Sequence, residues 1–87
     1  MKKENFTDTR VAIISIIAES TVPVPELQKI LSENERYIIA RTGVPYRAKN
    51  IRIICVSVDA PQDVINAMAG KIGKIPGVQT KTVMSSF

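Results

Sequence analysis

The chain contains no histidine and no tryptophan, and Cys55 is its one cysteine. Without histidine, the commonest general base and the commonest metal ligand are both missing. A Cys–His nucleophile is excluded, and a metal site would have to be built from carboxylates or backbone oxygens. A lone cysteine rules out an internal disulfide and suits a reducing compartment. Long hydrophobic runs are missing too. The longest is about eight residues, too short to cross a bilayer, so no membrane partner is expected. The start, Met1-Lys-Lys-Glu-Asn-Phe6, is charged, but no apolar stretch follows at signal-peptide distance. These absences give the expectation of a cytoplasmic chain with no catalytic residues, no metal ligands and no cofactor.

Aromatic residues are scarce, limited to Phe6, Tyr37, Tyr46 and Phe87. Acidic residues are missing from Arg36 through Val58, a stretch that holds Arg36, Arg41, Arg47, Lys49 and Arg52. The formal charge of +4 therefore sits in the middle of the chain.

What is present is a doubled pattern in 87 residues, enough for one domain. A chain this short buries roughly 60–65% of its unfolded surface, so the core is thin. With 45% hydrophobic and 23% charged residues, the composition is globular rather than disordered. Its apolar content is mostly Ile and Val. A small domain with that content suggests flat sheet surfaces, often completed by a second copy.

Residues 1–8 are polar and aperiodic and are expected to fray, leaving 9–87 as the domain. A first strand is predicted over about Arg10–Glu19, closed by Ser20 and Thr21. Val22-Pro-Val-Pro25 then opens a helix, because proline is favoured where its missing N–H would be unbonded anyway. Leu27, Ile30 and Leu31 form its apolar stripe, and it should end near Asn34. A second strand is predicted over about Tyr37–Val44. Gly43, Pro45 and Ala48-Lys-Asn50 mark a hairpin into a third strand, Ile51–Val58. Asp59 reads as the N-cap of a second helix, with Pro61 in its first turn and Gln62 at capping-box distance. Val64, Ile65, Met68 and Ile72 supply its stripe. Gly70 and Gly73 weaken its end, and Pro76-Gly77 stops it. The last strand is Val78–Met84.

The order is β-α-β, β-α-β. Apolar first and third strands belong in the centre, and the polar second and fourth belong at the edges. Right-handed crossovers leave a one-strand gap across each unit. Both arguments predict an α+β, ferredoxin-like sandwich with antiparallel sheet order 4-1-3-2 and two helices on one face. Such a sheet normally alternates apolar and polar along each strand. Here Ile occupies positions 13, 14, 16 and 17, and again 53 and 54. Both faces of the central strands are apolar, so the open face is expected to be covered by another copy, in a dimer or tetramer.

Few segments invite chemistry. Cys55 reads as a buried, inert thiol. Asp59 and Asp63 are explained by the helix start. Ala69-Gly-Lys-Ile-Gly-Lys74 is no Walker motif, since the spacing fails and it closes a helix rather than opening one. Its lysines can stabilise a helix C-terminus or contact an anion. Arg41-Thr-Gly-Val-Pro-Tyr-Arg47 has two readings. One is a solvated hairpin kept soluble by its arginines. The other is a binding loop in which Arg41 and Arg47 fork onto carboxylate or phosphate and Tyr46 adds a ring and a hydroxyl. Nucleic acid is the competing use of a basic sheet of this shape. The central strands carry no aromatic for base stacking, which leaves only backbone electrostatics.

The stretch Arg41-x-Gly-x-Pro-x-Arg47, the strand Ile51–Val58, Ala69-Gly-Lys-Ile-Gly73 and Gly77-Val78 together resemble the small regulators associated with iron-only hydrogenase systems. The resemblance covers roughly residues 9–83. It implies an ACT-like domain, similar in fold to the C-terminal domain of nickel-responsive repressors. It implies pairing through the sheets, a small effector bound near a subunit interface, and a role in transcription regulation or hydrogenase maturation. Amino-acid binding is common among ACT domains, and nothing here selects an amino acid. The nickel site of those repressors uses His and Cys and is not carried over. Their separate DNA-binding domain has no counterpart segment here, so control of transcription would act through a partner.

The resulting expectation is a non-enzymatic, homo-oligomeric regulatory module. Arg41, Gly43, Tyr46, Arg47, Gly70, Lys71 and Gly73 are its candidate effector or partner surface. A small anionic or amino-acid effector and a separate DNA-binding or hydrogenase-maturation protein are its expected partners. The alternatives are an assembly module that binds no small molecule and, more weakly, direct nucleic-acid binding.

Overall fold

The computed structural model describes residues 8–86, and its architecture follows from one strand pairing. Strand β1 (Arg10–Glu19) pairs antiparallel along its whole length with β3 (Ile51–Ala60), from Arg10 opposite Ala60 to Glu19 opposite Ile51. Strands β2 (Ile38–Tyr46) and β4 (Val78–Met84) add to the outer sides, giving the order β2-β3-β1-β4. This is the predicted order. Helices α1 (Val24–Glu33) and α2 (Gln62–Gly73) complete an α+β, ferredoxin-like, ACT-like sandwich. Residues 1–7 and Phe87 lie outside the described residues, and so does most of the predicted frayed segment.

Burial along β1 alternates from Val11 onward: Ala12, Ile14, Ile16 and Ala18 are buried, while Val11, Ile13, Ser15 and Ile17 are exposed. A strand has a side-chain period of two, so the even residues meet the helices and the odd ones the open side. Val56, Val58 and Ala60 of β3 join the helix-side layer. Leu27, Ile30 and Leu31 close it from α1, and Ile65, Met68 and Ile72 close it from α2. These are the stripes predicted from helical spacing, except that Val64 is only half-buried. No polar or charged residue is buried among the described residues, so the core owes its stability to apolar contact.

Three local expectations need correction. Gly43 and Pro45 are strand residues, not hairpin residues. β2 is an edge strand, where a proline's missing N–H need not break a ladder bond. The turn is instead Arg47–Lys49, closed by Asn50 at φ 54°. Asparagine tolerates this left-handed conformation better than most residues. Second, Asp59 does not cap α2. It lies in β3 opposite Val11, Pro61 takes the N-cap position, and no side chain caps the helix. Third, Cys55 is exposed rather than buried. It sits opposite Ser15 and Thr42 on the open side, because its parity is that of Ile53 and Ser57.

The α2–β4 turn depends on Gly77, whose φ is +84°. Its carbonyl accepts a 2.9 Å hydrogen bond from the Glu19 amide, tying the start of β4 to the end of β1. A Cβ there would meet Val22 Cγ2 at 3.0 Å and Glu19 Oε1 at 3.1 Å. Gly77→Ala therefore combines left-handed strain with crowding against a buried valine. It is expected to cost about 1–3 kcal/mol in urea unfolding. An unchanged midpoint would contradict the account of this turn.

Candidate functional site

Strand β2 contains the irregularity that builds the site. Ile38 pairs with Val58 and Ala40 pairs with Ser57, which leaves Ile39 as an extra residue. One inserted residue exchanges the faces of everything beyond it. Before the bulge, Ile38 packs on the core. After it, Arg41, Gly43 and Pro45 share rows with Val56, Ile54 and Arg52 on the helix side. Thr42, Val44 and Tyr46 take the open side.

Apart from the half-buried Ile38, every residue of β2 is exposed, so α1 leaves this strand uncovered. The gap between them is a groove of about 650 Å³. That volume lies within the ordinary range of small-molecule sites. Val24, Leu27 and Leu31 of α1 form one apolar wall, and Ala18, Gly43 and Ile54 contribute from the sheet. Arg41, Arg47 and Arg52 line the groove with Gln28, Ser20 and Asn50. Arg41 Nη2 donates a 3.2 Å hydrogen bond to Gln28 Oε1, linking β2 to α1. Arg52 is half-buried in the row of Ile54 and Val56. No carboxylate lines the groove among the described residues. The combination of apolar walls and guanidinium forks suits a ligand with an apolar body and an acidic group.

The predicted site residues divide into three places. Arg41, Gly43 and Arg47 line the groove. Tyr46 lies on the open side, exposed and outside the groove lining. Gly70, Lys71 and Gly73 sit in the last part of α2, away from the groove lining. A Cβ on Gly73 would reach Thr80 of β4, whereas nothing lies within 4 Å of a Cβ on Gly70. Sequence reasoning missed Arg52, Gln28 and Asn50. Arg52 was readable, because it shares parity with Val56 and Val58. Gln28 offered little, since a polar residue beside an apolar stripe is ordinary.

Residues 10–82 match the family described as "TM1266-like: Iron-only hydrogenase system regulator, putative". The chain belongs to this family. The solved structure of the uncharacterized protein TM1266 from Thermotoga maritima is 32% identical, with a TM-score of 0.83. The alignment covers 87% of this chain and 96% of that one. A formyltetrahydrofolate deformylase from Pseudomonas putida KT2440 is 15% identical with a TM-score of 0.62. That likeness covers 84% of this chain but 28% of the enzyme, and it shows the fold alone. Among curated proteins, none matches the chain.

The family description is that of a regulator, not an enzyme. Among the described residues, no group of three or more His, Cys, Asp or Glu is placed to hold a metal ion. No described helix is long and apolar enough to cross a membrane.

Gly43 gives direct access to the groove. A Cβ there would meet Ile54 Cγ1 at 3.7 Å, an ordinary contact, and its φ is not positive. The strand therefore does not require glycine at this position. Gly43→Val is expected to keep the fold and raise Tm by about 4 °C, since valine is favoured in strands and glycine weakens them. Its side chain would project into the groove. A large fall in Tm on heating, followed by circular dichroism, would show that the position is sterically closed.

Proposed function

We propose that this chain is a regulatory module of an iron-only hydrogenase system that takes a small effector into the α1–β2 groove. It acts as an oligomer and catalyses no reaction. The observation that carries this reading is the groove itself: small-molecule size, apolar walls, and three guanidinium groups with no lining carboxylate among the described residues. The family's description as a regulator supports the role. Control of transcription or of hydrogenase maturation would pass through a separate partner protein.

A thermal-shift screen of amino acids, nucleotides and organic acids tests the reading against wild type, Arg47→Ala and Arg52→Ala. At least one compound should raise the Tm of wild type more than that of both variants. A full screen in which no compound does so would count against effector binding at the groove.

The open side of the sheet favours oligomerisation. Val11, Ile13 and Ile17 of β1, Ile53 of β3, Val44 of β2 and Val83 of β4 are all between 40% and 64% exposed. Contiguous exposed apolar surface on a small domain marks an interaction site. It equally favours the second reading, an assembly module that binds a protein and no small molecule. Sedimentation equilibrium should show a dimer or larger species for wild type and monomer for Ile13→Lys, which places a charge in the patch. Wild type that stays monomeric at about 100 μM, well above the Kd of a stable pair, would remove the oligomer from the account.

A further inference from the structure

We infer that the effector taken by the α1–β2 groove is an organic polyanion with an apolar body, and not a zwitterionic amino acid. This rests on the reading of the groove as an effector site and adds the chemical class of the ligand. Three arginines and no carboxylate line the groove among the described residues. An α-amino acid brings one carboxylate and one ammonium. Recognition of an ammonium calls for an anionic or carbonyl acceptor, and here its surroundings carry three positive charges. Like-charge juxtaposition of this kind suppresses the wrong partner. The side-chain acceptors on the lining are neutral, and one of them, Gln28 Oε1, already accepts from Arg41.

A ligand with two or more negative charges reverses each of these terms. Arg41 sits on β2, Arg52 on β3 and Arg47 in the turn between them, so three separate elements contribute guanidinium groups to the groove lining. Guanidinium donors match carboxylate and phosphate oxygens in pairs. The helix wall presents Val24, Leu27 and Leu31, which offer nothing to a charge and much to a hydrocarbon or ring. Inorganic anions would use the arginines alone. The Gln28–Arg41 hydrogen bond joins the helix wall to the strand wall, so charged and apolar lining lie side by side.

The test uses three matched probes: phenyl phosphate, phenylalanine and inorganic phosphate. They share either the ring or the charge. By isothermal titration calorimetry of the full chain, phenyl phosphate should bind wild type about tenfold more tightly than either of the others. Gln28→Glu adds a carboxylate beside Arg41 and should weaken phenyl phosphate at least severalfold, with phenylalanine unchanged or improved. Gly43→Val should abolish binding through steric filling while circular dichroism shows an intact fold. Phenylalanine binding wild type as tightly as phenyl phosphate, and lost in Gly43→Val, would overturn the polyanion class and leave the effector site standing. Saturation by none of the three at about 10 mM overturns the class, whereas the effector reading falls only with the broader screen. A single-stranded oligonucleotide that binds more tightly than phenyl phosphate and is unaffected by Gly43→Val would also overturn it, because the arginines would then be reading a backbone from outside the groove.

Discussion

The pairing of β1 with β3 is the constraint on which everything else depends. It fixes the parity of the two central strands, and parity decides which residues meet the helices. Slipping this register by one residue would exchange Ile14, Ile16 and Val56 for Ile13, Ile17 and Cys55. Both sets are largely apolar, so hydrophobicity alone distinguishes them weakly. The distinction comes from the ends. Glu19 must reach the Gly77 carbonyl, and Ser20 must reach the Asn50 carbonyl at 2.9 Å. Asn50, at positive φ, thus helps hold the register that a doubly apolar strand leaves loose, and Gly77 ties β4 to the same end of β1.

The bulge at Ile39 then turns a plain edge strand into two surfaces. Gly43 and Val44 are neighbours in sequence and both line the groove, yet Gly43 lies on the helix side and Val44 on the open side. Ile53 and Ile54 divide in the same way across the same row. A ligand in the groove and a protein on the open side would therefore contact the same two strands, and Val44 belongs to both surfaces. The arrangement keeps arginines off the middle of the apolar face, where a charge would oppose burial. Among the described residues, Tyr46 at its margin is the aromatic that this face carries.

Much of this was legible in the sequence. The element order, the sheet order and both helix stripes follow from period-two and period-3.6 patterns and from the crossover rule. The doubled apolar parity at Ile13, Ile14, Ile16 and Ile17 is readable in the same way. The site was less legible, for a specific reason. A bulge leaves no mark in composition, and Ile39 looks like any strand residue. Without it, Arg41, Gly43 and Pro45 would be assigned to the open side and Thr42, Val44 and Tyr46 to the helix side, the reverse of what is observed. The Gly-Lys end of α2 lies apart from the groove lining, and lysines and glycines also finish helices. Asp59 misled because Asp before proline is the usual helix start, and the signal does not say how far the preceding strand runs. Cys55 misled because cysteine is usually buried, whereas its position opposite Ser15 is fixed by register.

The groove's chemistry supports one central proposal, that a small organic anion occupies the space between α1 and β2. Amide chemical-shift mapping of the ¹⁵N-labelled chain during titration with phenyl phosphate tests this most directly. The account predicts that the largest changes fall on Leu27, Gln28, Arg41, Gly43 and Arg52. Changes centred instead on Ile13, Ser15 and Cys55 of the open side, or on Gly70, Lys71 and Gly73 of α2, would contradict it.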